Sequence, residues 1–369
     1  MSPSAESMPD CKEEPAWGRD GHRGGASRIT VVDSTLRDGS HAKRHRFTVE
    51  DVRAVASALD SAGVPWVEVS HGDGLGGSSF NYGLSLVDEL ELIAAAADVL
   101  TTSRLAVLLL PGIGTKDDLA RAQDLGAELV RVATHCTEAD IAPQHLGLAR
   151  DLGMTAVGFL MMAHLAGPEA LAAQARIMAD AGAQVVYVTD SAGALLPSGA
   201  VERVEAIRAA VPAEVEIGFH GHMNLDLGVA NSIAAVRAGA TWVDGSTCGM
   251  GAGAGNTPTE VLAAVCDLEG IETGIDTFAA MDVAEEVVRP VLDRLPFVGR
   301  SSLLLGYCGV YGSFLLHAEQ AAKRFGVSEK EILLEVGRRK AVGGQEDMIV
   351  EVGAELAGLG LRNNPGGND

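Results

Sequence analysis

From Arg28 to about residue 270 the chain repeats one pattern: a short apolar run, a turn rich in Gly, Asp, Ser and His, then an Ala-rich amphipathic stretch. The apolar runs fall at 29–32, 66–69, 105–110, 129–132, 155–161, 184–188, 215–219 and 241–243. Each is short, continuous and mostly β-branched or aliphatic, as a strand buried on both faces requires. Between them, apolar positions recur with helical spacing over 49–62, 84–97, 116–126, 143–152, 168–182, 200–210, 227–239 and 257–268. Gly63, Gly126, Gly153, Gly182 and Gly239 stand where each helix must hand over to the next strand, the place for a left-handed cap. Eight strand–helix units, spaced by about the 30 residues one such unit needs, predict an α/β fold closed into a (β/α)8 TIM barrel. A doubly wound open sheet is the structural alternative, and the even spacing favours closure.

The pattern changes after residue 275. Helical spacing continues over 278–292, 311–325, 328–337 and 347–359 with no strand between, so a small C-terminal helical domain is expected over 276–359, behind a catalytic barrel over 28–275. Residues 1–27 are polar, with no apolar core of a secretory signal, and read as a disordered extension. Residues 360–369 read as a flexible tail.

Composition narrows the function. The chain of 369 residues is 47% hydrophobic and only 4% aromatic, which suits parallel strands under helices. Its net charge of −22 argues against a nucleic-acid surface. No run approaches the roughly 18 apolar residues of a membrane span. The five cysteines form no CxxC pair and are odd in number, which fits reduced thiols of a cytoplasmic protein.

In a barrel the chemistry sits where strands end. Strand 1 ends in Asp33-Ser34-Thr35-Leu36-Arg37-Asp38-Gly39-Ser40-His41, with Arg37, Asp38 and His41, three ionisable groups within five residues, crowded into one turn. Strand 2 delivers Ser70, His71 and Asp73, strand 4 His135, strand 6 Asp190 and Ser191, and strand 7 His220-Gly221-His222. Residues i and i+2 of a strand share a face, so both imidazoles of the last motif can enter the barrel mouth. With one carboxylate they make a facial triad for a divalent metal. Asp38 and Asp190 are the candidates, and Asp38 is preferred because closure brings strand 1 round to strand 8, beside strand 7. Two nitrogen ligands favour Mn²⁺, with Co²⁺ or Zn²⁺ as alternatives and Mg²⁺ as a poorer substitute. The bland alternative is a hydrogen-bonded histidine pair. None of the six lysines lies in a strand, so a Schiff base has no obvious donor and a metal must stabilise any carbanion. The glycines of 249–256, after strand 8, suit either a phosphate or a tight turn.

Taken together, TLRDG after strand 1, HGDGLGGSSFNYG after strand 2, GFLMM, VTDSAGAL, GFHGHMNLDLGVANS, GMGAGAGN and, further on, LGYCGVYGSFLLHAE resemble the 4-hydroxy-2-oxovalerate aldolases over 29–359. The wider superfamily includes hydroxymethylglutaryl-CoA lyase and isopropylmalate synthase. The resemblance implies a class II pyruvate aldolase, a carbon–carbon lyase that cleaves 4-hydroxy-2-oxoacids (the oxovalerate or oxohexanoate) to pyruvate and a short aldehyde during aromatic hydrocarbon catabolism. It implies Asp38, His220 and His222 as Mn²⁺ ligands, Arg37 beside the enolate oxygen, His41 as base, Ser191 at the substrate carboxylate and Tyr311 at the substrate hydroxyl. His220 is placed against substrate as well. It further implies an acylating acetaldehyde dehydrogenase partner, held in a heterotetramer through the helical region and receiving the aldehyde directly. His71, His135 and His164 are expected in supporting roles. Met223 stands where many relatives carry a further histidine, and beside the ligands it is expected to alter the pocket. Three alternatives compete: a biosynthetic condensation with a bulkier aldehyde, a Claisen-type acyl-CoA condensing enzyme of the same superfamily, and a non-catalytic scaffold. GMGAGAGN counts against the Claisen reading, and the intact ionisable set counts against a scaffold.

Overall fold

A computed structural model describes residues 28–312, 314–342 and 344–359; both terminal segments named above lie outside these. Eight parallel strands close on themselves in chain order: β1 (Thr30–Asp33), β2 (Trp66–Glu68), β3 (Arg104–Leu109), β4 (Ala127–His135), β5 (Thr155–Met161), β6 (Val185–Asp190), β7 (Glu216–Gly221) and β8 (Trp242–Gly245). Closure is made by β1 pairing β8, with Val32 opposite Asp244 and Asp33 opposite Gly245. The open-sheet alternative is thereby excluded. Helices α1 (Val49–Ser61), α2 (Glu89–Ala97), α3 (Lys116–Asp124), α4 (Pro143–Asp151), α5 (Pro168–Asp180), α6 (Pro197–Ala210), α7 (Gly228–Arg237) and α8 (Thr259–Glu269) surround the barrel.

Local chemistry sets the boundaries. Thr48 and Asp51 form a capping box on α1, and Thr115 and Asp118 repeat it on α3. Proline opens α4, α5 and α6, where its missing N–H costs nothing. All five handover glycines adopt φ between +75° and +110°. The helix expected from 84 begins instead at Glu89, because Asp88 caps it by accepting from Leu90 N. Strand β4 is longer than its apolar run of 129–132, since its pairing with β5 continues through His135 opposite Met161.

Strand parity sorts side chains into two layers. Trp66, Leu108, Leu129, Ala133, Val157, Phe159, Tyr187 and Trp242 fill the barrel interior. Val67, Val107, Val130, Val132, Val186, Val188, Ile217 and Phe219 face the helices and form the larger core with them.

The helical region drawn from 276 divides in two. Helix α9 (Thr277–Asp282) runs on through a π-helical turn to Val288, and there Val283 and Val288 join the apolar core under the barrel's helices. A second core, with Leu305, Phe314, Ala318, Ile332, Val336, Ile349 and Val352, belongs to α10 (Arg300–Cys308), α11 (Phe314–Phe325), α12 (Glu329–Arg338) and α13 (Asp347–Leu356). Helix α10 is the element the periodicity missed. Its start is marked by Ser302, whose hydroxyl accepts from Gly299 N and donates to Gly299 O. It stops at Gly309, in the left-handed conformation at φ +62°, so Tyr311 lies in the link before α11 rather than in a helix. No helix among the described residues is long and apolar enough to cross a membrane.

Candidate metal centre and active site

At the C-terminal mouth of the barrel lies a small cavity. Arg37, Asp38, His41, Ser191, His220, His222 and Tyr311 all line it, together with Asp73, Thr189 and an apolar wall of Leu108, Leu110, Phe159 and Met161. Each polar group arrives for a local reason. Residues Asp38–His41 form a single 3-10 turn, whose i and i+3 side chains eclipse, so Asp38 and His41 both face the cavity. His220 is an inward residue of β7, and His222 follows it on the same face just past the strand, where its backbone pairs with Asn256.

Three donor atoms converge at the buried end. His220 Nε2 and His222 Nε2 are 3.2 Å apart, and Asp38 Oδ2 stands 3.4 Å from the first and 3.8 Å from the second. Donors about 2.1 Å from one ion and about 90–110° apart lie about 3.0–3.4 Å from each other; both contacts of His220 fall in that range, and a single divalent cation would need Asp38 Oδ2 and His222 Nε2 slightly closer than their 3.8 Å. The tautomer fits as well. His220 Nδ1 donates to Asp244 Oδ2 at 2.6 Å, which leaves Nε2 with its lone pair directed at the cluster. Burial and the neighbouring His220 hold the His222 imidazole down at about 4 against the pull of Asp38, so it is neutral and ligand-competent at pH 7. Burial would raise the Asp38 carboxyl, but Arg37 and the two histidines outweigh it and keep the carboxyl well below its ordinary range.

Arg37 is fixed on two sides. Its Nε donates to Glu68 Oε2 at 2.8 Å and its Nη1 to Asp38 Oδ2 at 2.8 Å. Its Nη2 is buried and has no protein partner among the described residues. In a cavity-lining side chain, that is a donor held ready for a ligand oxygen. Ser191 Oγ accepts from Met162 N at 3.0 Å, leaving its own proton to donate. Burial, with Asp73 and Asp38 nearby, raises the Tyr311 hydroxyl further above its ordinary value, so it stays protonated. Tyr307, its rival on composition, is 78% exposed and lines nothing in the cavity.

Several expectations are redirected. Asp190, the alternative carboxylate, shares the outward face of Val186 and Val188, and its oxygens accept from Ala194 N and Leu195 N. Asp33 also points outward: its Oδ1 accepts from Thr35 N within the turn and its Oδ2 from the hydroxyls of Thr247 and Thr259, which ties β1 to the segment after β8. Met223 is correspondingly outward, with its sulfur against Gly228, and is absent from the cavity wall. The 249–256 loop is a tight turn: Ala254 N donates to Asn224 Oδ1, and the Gly249, Met250, Gly255 and Asn256 amides bond within the loop or to its neighbours. His71 stacks on His45 at 3.8 Å and bonds Gly83 O, and His164 bonds Gly309 O at 3.0 Å. Glu68, Arg131, Asp244 and His45 went unnoticed in the sequence. The signal for the first three was an ionisable residue inside an apolar strand.

Comparison with known proteins gives the family. The HMGL-like family model matches residues 28–287 and the DmpG-like communication domain matches residues 296–358. The chain is 60% identical over 328 residues to 4-hydroxy-2-oxovalerate aldolase 3 of Rhodococcus opacus (strain B4), covering 89% of this chain and 97% of that one. It is 56% identical over 329 residues to 4-hydroxy-2-oxovalerate aldolase of Geobacillus genomosp. 3, with the same two coverages. Among solved structures, the carboxyl transferase domain of Rhizobium etli pyruvate carboxylase with pyruvate superposes with a TM-score of 0.75 at 18% identity, covering 90% of this chain and 61% of that one. The HMG-CoA lyase of Brucella melitensis gives 0.63 at 18% identity, covering 73% and 100%. These two likenesses show the shared barrel.

Proposed function

Because the chain belongs to the HMGL-like family and, within it, to the 4-hydroxy-2-oxovalerate aldolases, we propose that it cleaves 4-hydroxy-2-oxovalerate, or the oxohexanoate, to pyruvate and acetaldehyde or propionaldehyde. The observation that carries this reading is the convergence of Asp38, His220 and His222 beside an unpaired Arg37 nitrogen in one cavity. A divalent cation held by those three residues, Mn²⁺ or in its place Co²⁺ or Mg²⁺, supplies Lewis acidity toward the 2-oxoacid end of the substrate.

The protein's own groups account for the rest. His41 takes the proton from the C4 hydroxyl; the C3–C4 bond breaks, its electron pair moves to the C2 oxygen, and the aldehyde leaves. Arg37 Nη2 donates to that oxygen as its charge develops, from a side chain already fixed by Glu68 and Asp38. Return of a proton to C3 completes pyruvate. Ser191 receives the carboxylate and Tyr311 the hydroxyl, while Leu108, Leu110, Phe159 and Met161 leave an apolar wall that suits a short alkyl group.

The region α10–α13, within the residues expected as a partner-binding domain, docks an acylating acetaldehyde dehydrogenase in a heterotetramer and passes the aldehyde to it; the match at 296–358 supports this. The setting is cytoplasmic catabolism of aromatic compounds. With Mn²⁺ the purified protein should release pyruvate from 4-hydroxy-2-oxovalerate, EDTA should abolish release, and added Mn²⁺ should restore it. Release that survives chelation, with an adduct trapped by borohydride, would refute the metal-dependent mechanism.

A further inference from the structure

Barrel interiors are ordinarily filled with branched apolar side chains. Here three strands each place a charge in that layer. Glu68 lies two residues past Trp66 on β2, Arg131 between Leu129 and Ala133 on β4, and Asp244 two past Trp242 on β8. All three are at most 2% exposed, and none lines the cavity. Ions buried this way are tolerated only when paired with good geometry, and those pairings run in a definite direction.

Arg131 is the centre. Its two terminal nitrogens donate to both oxygens of Asp244, the Nη2–Oδ1 contact at 2.9 Å. Its Nε faces Glu68 Oε1 at 3.5 Å, an ion pair looser than a hydrogen bond. The ring systems of Tyr187 and Phe159 flank its guanidinium, with centroids 4.8 and 5.2 Å away. Beyond Asp244 comes His220 Nδ1, and beyond Glu68 comes Arg37 Nε. Both arms then meet at Asp38 Oδ2, 2.8 Å from Arg37 Nη1 and 3.4 Å from His220 Nε2. The six side chains close a ring.

We infer that Arg131 is a positioning residue of this site, holding the His220 ligand tautomer through Asp244 and the Arg37 donor through Glu68. The inference rests on the metal-dependent reading proposed above. Only a planar fork can reach two carboxylates on opposite arms at once, so lysine is not an equivalent here. With Arg131 fixing both Asp244 oxygens, the one facing His220 can only accept, and the imidazole proton is confined to Nδ1. With the Arg131 charge behind Glu68, the other Glu68 oxygen takes Arg37 Nε, and Nη2 is left without a partner among the described residues.

The test uses the full-length Mn²⁺ enzyme and three variants: Arg131→Met, Arg131→Lys and Asp244→Asn. Folding is followed by circular dichroism, Mn²⁺ affinity by electron paramagnetic resonance titration, and kcat and KM for 4-hydroxy-2-oxovalerate cleavage on folded protein. Loss of support for a metal-bound histidine costs about 10–100-fold in metal affinity, and each variant is expected to show that loss together with a lowered kcat. Asp244→Asn is informative even if Arg131→Met fails to fold, because an amide can offer its NH₂ to His220 Nδ1 and drive the imidazole proton onto Nε2. Wild-type Mn²⁺ affinity and kcat in folded Arg131→Lys and Asp244→Asn, with only the melting temperature lowered, would reduce Arg131 to a packing residue and overturn the inference. Failure of the aldolase reading looks different: wild-type protein would bind Mn²⁺ yet release no pyruvate, while the variants would still lose Mn²⁺ affinity.

Discussion

The floor of the cavity and its lip hold functional side chains in opposite ways. On the floor, Asp38, Arg37 and His220 are at most 4% exposed, and each has two or more ionisable partners. At the lip, His41 ends a 3-10 turn and Tyr311 lies between two helices. Both are half-buried, and neither ring accepts or donates a hydrogen bond to another described residue. His41 meets the edge of the His45 ring, at 5.0 Å, and Tyr311 the edge of the Phe314 ring, at 6.1 Å. The floor is set by a network that a single substitution disturbs as a whole. The lip carries no such network among the described residues. Groups that stabilise developing charge gain from being fixed beforehand, whereas a group that accepts a proton and one that reads a hydroxyl need only reach it.

That contrast predicts effects of different size. The largest belongs to the floor. Arg37→Ala removes the unpaired Nη2 and also leaves Glu68 and Asp38 short of a partner. It should lower kcat by on the order of 10²–10³, as loss of an oxyanion donor does, with KM changing far less. Steady-state kinetics at saturating Mn²⁺ measure it, and an unchanged kcat would remove Arg37 from the mechanism.

How much of this was legible in the sequence follows the same division. Eight strand–helix units could be counted from the alternation of apolar runs and amphipathic stretches, because burial on both faces leaves an unbroken aliphatic signature. The cavity residues could be listed because they cluster at strand ends. Orientation within a strand was harder. Asp190 competed with Asp38 until parity was applied from inside the fold: Val186 and Val188 face the helices, so Asp190 does too, and Thr189 takes the inward place. Met223 misled for the same reason, being one residue off the parity of His220 and His222. The part of the ring around Arg131 was hidden because Glu68 and Asp244 lie 63 and 113 residues from it and each of the three looks like a lone charge in an apolar run. Helix α10 was missed because its apolar run of three leucines lacks helical spacing, and only the Gly299–Ser302 cap marks it.

A smaller effect concerns how the lip is fastened to the barrel. His164, after β5, donates from Nε2 to the carbonyl of Gly309, two residues before Tyr311. Its Nδ1 faces Asp190 at 3.9 Å, and the guanidinium of Arg203 lies behind it. Burial, aided by Arg203 and opposed by the Gly309 bond, lowers the imidazole from 6.5 to about 4. Between those values the unfolded chain binds a proton that the folded chain refuses. The stabilisation is therefore complete above pH 6.5 and is lost as pH falls toward 4, by on the order of 3 kcal/mol. Denaturant melts of wild type and His164→Gln between pH 4 and 7 should converge at the acid end, with this part of the pH dependence missing from the variant. Parallel curves would show that His164 does not couple the link to the barrel.

The smallest effect tests the lip itself. Tyr311→Phe keeps the ring against Phe314 and removes only the hydroxyl. A hydrogen bond between neutral partners contributes about 0.5–1.5 kcal/mol, so kcat/KM for 4-hydroxy-2-oxovalerate should fall by about two- to tenfold. Mn²⁺ affinity should stay at the wild-type value, since Tyr311 makes no hydrogen bond to a member of the ring. Tyr307→Phe, four residues earlier and 78% exposed, is the matched control and should change neither quantity. The pair of readings separates the two regions sharply, because a floor residue cannot lose its polar group without disturbing the metal. If Tyr311→Phe weakened Mn²⁺ binding as much as a ring variant does, the lip would be part of the same network as the floor, and the division between fixed and free groups would fail.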